Sequence, residues 1–106
     1  MKTNFLFKKS YKLSTLTKVD YDHLWGSKGV FTTIRVYGKK PKYILFSNHI
    51  KIMNYSLKRM GIDFLLSEKN IYIFLEPLLN LNKSYNHLLR IAVNSKIISL
   101  SMRVRF

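Results

Sequence analysis

The segment Val30 to Tyr37 constrains the fold more than any other part of the chain. Val30, Thr32, Ile34 and Val36 point to one side, and Phe31, Thr33, Arg35 and Tyr37 to the other. Both sets are rich in β-branched and aromatic residues, so the period of two predicts a strand. Gly38-Lys39-Lys40-Pro41 then reads as a turn, and Lys42 to Phe46 as the returning strand of a hairpin.

Two helices are expected next. Ser47 or Asn48 can cap the first, which runs to about Met60 with Ile50, Met53, Leu57 and Met60 on one apolar seam. Arg59 lies in its last turn and Gly61 stops it. Ser67-Glu68 opens the second, where Ile71, Phe74, Leu75, Leu78 and Leu79 follow the helical period. Pro77 should kink or shorten this helix, and the β-rich run Ile71 to Phe74 keeps a strand in play.

Strands return towards the end of the chain. Leu88 to Val93 reads as one; in the other, Ile98, Leu100, Met102, Val104 and Phe106 alternate with Ser99, Ser101, Arg103 and Arg105. This last strand is expected to lie unpaired at an edge, and its run to the final residue suits a fragment of a longer protein. The region before Asp20 is less clear, with Tyr11 to Leu16 as a further strand candidate. The order predicts one α+β domain over residues 1–106, with a largely antiparallel sheet and two helices.

A chain of 106 residues has room for one modest core. It has no cysteine, so disulfides, Cys-based zinc sites and a thiol nucleophile are excluded. No apolar run approaches the ~18 residues of a membrane span. Met1 to Lys18 carries lysines and hydroxyls without an acid, which loosely suits a transit peptide, but Arg is missing there. A cytoplasmic protein is the simplest expectation. The net charge of +14 is the footprint of a nucleic-acid binder. Against that, 14 of the 19 basic residues are lysine, and residues with A/T-rich codons dominate the chain, so nucleotide bias alone can produce the charge.

Catalytic motifs are absent. The four glycines, Gly26, Gly29, Gly38 and Gly61, build no phosphate-cradling loop. Asp20-Tyr21-Asp22-His23 offers metal-ligand atoms but has no partner cluster, so a polar loop is expected and no metal site is assigned. His49, in the first turn of its helix, has no acid or nucleophile placed beside it. The distinctive residues are Arg35 and Arg90, each within an otherwise apolar strand. An arginine facing a cleft can clamp a carboxylate through two parallel hydrogen bonds, and one on the polar face of a strand can equally reach solvent.

The ordered set Gly29-Val-Phe-Thr-Thr-Ile-Arg-Val-Tyr-Gly38, then His49-Ile50-Lys51-Ile52-Met53, Ser56-Leu57-Lys58, Gly61-Ile62 and Leu88-Leu89-Arg90-Ile91 resembles the small N-terminal domain of the class IV, fold-type IV pyridoxal-phosphate enzymes. These include branched-chain and D-amino-acid aminotransferases and aminodeoxychorismate lyase. The resemblance covers roughly Tyr21 to Val93, leaving 1–20 poorly matched. It implies that Phe31, Thr33 and Arg35 face a small amino- or keto-acid substrate. It further implies that Arg90 shapes the carboxylate end of the pocket. Trp25 falls near the family's pocket aromatic, with Gly26 to Gly29 one residue longer than the family turn. Thr32 stands where the family has glutamate, and Ile52 where it has the arginine that holds the cofactor phosphate. The lysine that forms the Schiff base belongs to the family's large domain, and none of the lysines here takes that role by motif.

Two functional expectations follow. One is a lone or truncated small domain of such an enzyme, inactive by itself. Phe31, Tyr37, Ile52 and the final strand would then be left uncovered, to be buried by a missing large domain or by homo-oligomerisation. The other is a small basic RNA-binding or ribosome-associated protein.

Overall fold

The structure is a computed structural model that describes residues 5–80 and 84–105, without the side chains at 79 and 80. The chain runs β1 (Phe5–Lys12), β2 (Lys18–Val19), β3 (Gly29–Gly38), β4 (Lys42–Tyr43), α1 (Phe46–Arg59), α2 (Glu68–Leu75), a 3-10 turn (Glu76–Asn80), β5 (Tyr85–Asn94) and β6 (Ile97–Val104). The strands form one six-stranded sheet in the order β2-β1-β6-β5-β3-β4, and every pairing is antiparallel. The fold is α+β, as the sequence pattern predicts.

Both helices lie on one face of the sheet. Ile34 and Val36 of β3, Leu89 and Ile91 of β5, and Leu100 and Met102 of β6 meet Ile50, Met53 and Leu57 of α1 and Ile71 and Leu75 of α2 in a single core. The cross-strand register explains this division. Ile34 pairs with Leu89 and Leu89 with Met102, so three buried side chains stand in a row across the sheet. At the far side, Tyr11 of β1 stacks on Phe74 of α2 at 4.1 Å between ring centroids.

α1 ends as its sequence predicts. Gly61 takes φ +72, Gly61 N donates to Lys58 O, and Ile62 N donates to Leu57 O. This is a Schellman closure, and its left-handed residue suits glycine. The following loop is pinned by Asn54, whose side chain donates to Leu66 O at 3.0 Å and accepts from Leu66 N. Ser67 caps α2 by accepting from Asn70 N, and Pro77 sits in the 3-10 turn that replaces its last helical turn. Ile71 to Phe74 is therefore helical.

Four expectations are corrected. The returning strand after the turn is only Lys42–Tyr43 rather than Lys42 to Phe46. Leu45 adopts φ 53 and turns the chain, so that Phe46 opens α1 and enters the core. Neither Ser47 nor Asn48 caps α1; Ser47 Oγ instead donates to Glu68 Oε1 at 2.7 Å, joining the starts of the two helices. The N-terminal strand covers Phe5–Lys12 rather than Tyr11 to Leu16, and Leu16 itself takes φ 56 in the turn to β2. Finally, β6 is not an edge: it pairs with β1 on one side and β5 on the other. Phe106 lies outside the described residues, as does the Leu79 side chain.

Candidate functional site

The sheet face opposite the helices is open, and β3 and β5 place the distinctive residues on it. Thr33 pairs with Arg90 and Arg35 with Leu88, so Phe31, Thr33, Arg35, Leu88 and Arg90 all stand on that side. Ser99 and Ser101 follow on β6, opposite Ala92 and Arg90. Lys8 and Ser10 complete the row on β1.

The segment between β2 and β3 folds over part of this face. Ser10 Oγ and Ser99 Oγ lie 2.6 Å apart. Asp22 N donates to Ser10 Oγ at 2.9 Å, and Ser99 Oγ donates to Asp22 O at 2.5 Å. With Ser10 donating to Ser99, each hydroxyl proton has one acceptor. This pair is fully buried and holds the loop by its backbone. Asp22 Oδ1 then accepts from Leu24 N at 2.9 Å, and His23 Nδ1 accepts from Trp25 N at 2.8 Å. These turns allow Leu24 its positive φ of 59 and bury its side chain.

Trp25 is thereby placed over Arg90. The guanidinium carbon is 4.4 Å from the Trp25 ring centroid and 5.2 Å from that of Phe31, a double cation–π contact. Arg90 Nη1 donates to His23 O at 2.6 Å. Burial draws the Arg90 guanidinium below its ordinary pKa, opposed by the nearby Tyr21 phenol, and it stays protonated at any physiological pH. Its Nε is buried and has no hydrogen-bond partner among the described residues.

Around Arg90 lies a cleft of about 430 Å³. Its cations are Lys8, Arg90 and Arg103; its aromatic walls are Phe5, Tyr21, Trp25 and Phe31; Thr33, Ser101 and His23 supply polar groups, and no carboxylate lines it. Lys8 Nζ sits 5.6 Å from the Tyr21 ring centroid, which keeps this charge at the rim. The site therefore favours a small anion with an apolar or planar body.

Of the residues implicated by the sequence, Phe31, Thr33 and Arg90 line this cleft together. Arg35 shares the face but lies along β3 from the cleft, with its guanidinium 5.2 Å from the Tyr37 ring centroid. Trp25 is a wall residue. Sequence reasoning missed Phe5, Lys8, Tyr21, His23, Ser101 and Arg103. Arg103 and Ser101 carried a signal, since both occupy the polar phase of the alternating final strand. His49 is on the other side of the sheet, where its Nδ1 meets Thr32 Oγ1 at 2.7 Å. A second, more open hollow of about 910 Å³ lies between Lys12, Asp20 and Lys96 and shares Tyr21 and His23 with the cleft.

The position that the resemblance assigns to the cofactor phosphate cannot hold one. Ile52, at the position the resemblance gives to a phosphate-holding arginine, has no donor. It projects from the outer surface of α1, 66% exposed, and α1 lies across the sheet from the cleft. Among the described residues no cluster of three His, Cys, Asp or Glu is placed to hold a metal ion. No described helix is long and apolar enough to cross a membrane. Comparison with family models, with curated proteins and with solved structures finds no match to this chain.

Proposed function

We propose that the Arg90 cleft binds a small organic acid, in the manner the class IV resemblance implies for an amino- or keto-acid substrate. One observation carries this reading: Phe31, Thr33 and Arg90, separate in sequence, converge on a single cleft that has cations and no carboxylate. The tether to His23 uses Nη1 and Nε is enclosed by its neighbours, so a carboxylate would meet the guanidinium at its outer Nη donors. Thr33 and Ser101 can hydrogen-bond a keto or amino group, and Phe31 with Trp25 packs the acid's body.

The chain binds and orients in this reading; no residue of it is assigned a bond-making role. In the family the reacting lysine comes from the large domain, and here Ile52 stands at the position of the phosphate-holding arginine, so a large domain or a second copy of the chain would have to complete an active site. Exposed Phe31, Tyr37 and Ile52 offer surface for such a partner.

The test is a titration of the purified chain with 2-oxoglutarate and with 2-oxo-4-methylpentanoate, followed by NMR at the indole N–H of Trp25, the only tryptophan. A saturable shift that disappears in Arg90→Met supports the reading. An unchanged resonance, or a shift that survives Arg90→Met, overturns it.

A further inference from the structure

We propose that the open face of the sheet is, in addition, a track for single-stranded RNA. The cleft is one end of a longer arrangement. Along β3 the outward side chains run Phe31, Thr33, Arg35, Tyr37, and Phe31 and Tyr37 are 59% and 54% exposed. Trp25, 65% exposed, stands beside Phe31 with ring centroids 6.3 Å apart. Six residues of strand span about 20 Å, so large exposed rings lie at both ends of a line with cations between them.

Each ring is paired with a cation. Arg35 lies over Tyr37, and Arg90 lies between Trp25 and Phe31. Flat guanidinium and aromatic surfaces are what unstacked bases pile on, while the charges follow the backbone phosphates. The chain's net charge of +14 supplies the long-range attraction. An acidic peptide would use the charges but not the ring faces, and a duplex hides its bases, so the exposed rings select a single strand. The hydroxyl of Thr33, exposed on the same face, is placed to meet a ribose 2′-OH, which favours RNA over DNA.

This surface shares Trp25, Phe31, Thr33 and Arg90 with the organic-acid cleft but extends beyond it to Arg35 and Tyr37. The two readings can therefore fail separately. The experiment is fluorescence anisotropy with a labelled 12-nucleotide U-rich RNA. The same sequence as single-stranded DNA, a 12-base-pair RNA duplex and a polyglutamate peptide serve as comparisons, each measured from 50 to 200 mM salt. Single-stranded RNA should bind most tightly. Tyr37→Ala should weaken it by about five-fold or more, the loss of one stacked base, while leaving the salt slope and the keto-acid titration unchanged. Arg35→Ala should lower the salt slope by about one. Tyr37 is exposed, so thermal melting of the variant should match the parent and separate a binding loss from a folding loss. Equal affinity for the four probes, or a Tyr37→Ala variant that binds RNA as well as the parent, overturns the proposal and leaves only non-specific charge attraction. DNA binding as tight as RNA overturns the choice of RNA.

Discussion

The hydroxyls of Ser10 and Ser99 meet at 2.6 Å across neighbouring strands and together hold the backbone of Asp22. Two side chains far apart in sequence thus fix the start of the loop that carries His23, Leu24 and Trp25. The cleft depends on this bond although neither serine lines it.

Ser10→Ala should remove the acceptor of Asp22 N, and Ser99→Ala the donor to Asp22 O. Each is expected to cost about 1–3 kcal/mol, because a buried polar group loses its partner. The two serines form one network, so the double variant should cost less than the sum. Urea denaturation of the four proteins measures the cycle. Additive losses would show that the hydroxyls act independently.

Arg90→Lys keeps the charge but gives up the planar fork that sits between Trp25 and Phe31 and reaches His23 O. Stability should fall by only about 1 kcal/mol, the scale of an exposed cation–π contact. Trp25 emission should change because the ring loses the flat guanidinium beneath it. An emission spectrum identical to the parent's would mean that the ring and the guanidinium are not in contact.

Gly29 has no room for a side chain. A Cβ there would lie 2.3 Å from Val93 O, a backbone atom that cannot rotate away. Gly29→Ala should therefore separate the paired ends of β3 and β5, with a loss of about 1–3 kcal/mol or more. Gly26, with nothing within 4 Å, would not meet this clash, so Gly26→Ala is the control for its positive φ alone. Equal melting temperatures for Gly29→Ala and the parent would count against the register of β3.

Tyr43 should be a late-titrating phenol. Its pKa is raised to about 12, first by burial and then by the neighbouring Tyr85 and Tyr72, and its hydroxyl has no partner among the described residues. Between pH 10 and 12 the unfolded chain has lost this proton while the folded chain retains it. The folded state therefore loses stability as pH rises through that window. Absorbance titration of the parent and Tyr43→Phe should differ by one phenolate near pH 12. A difference near pH 10 would place Tyr43 in solvent.

The local periodicities made β3, the two helices and the phase of β6 legible in the sequence. Arg35 and Arg90 stood out as cations within otherwise apolar strands, and antiparallel pairing turned both to one face. Elsewhere the periodicities were misleading. β1 was hidden by Lys8 and Lys9, whose ammonium groups sit over Phe5 and Phe7 at 5.4 and 5.1 Å. Their stems cover apolar surface while the charges stay wet. The apolar run Tyr43 to Phe46 looked like strand, but the left-handed turn at Leu45 commits Phe46 to the helix. The centre position of β6 was not legible at all, because strand order is decided by pairing between distant segments. The same limit hid Phe5 and Lys8 from the site, since only β1's docking on β6 brings them there.

That docking also has a place in time. The β5–β6 hairpin closes over a two-residue turn and can form early, whereas Ser10 and Ser99 are 89 residues apart. Contacts of such separation carry the greatest loop-closure cost and tend to be made late. β1 brings with it the loop that places Trp25 over Arg90, so the cleft is expected to form late in folding. The reverse also holds: fraying of β1 alone would dismantle the binding site while the helices and the three central strands stayed in place, as local opening does in many proteins. The site's occupancy by a ligand would then be linked to how firmly one strand stays in the sheet.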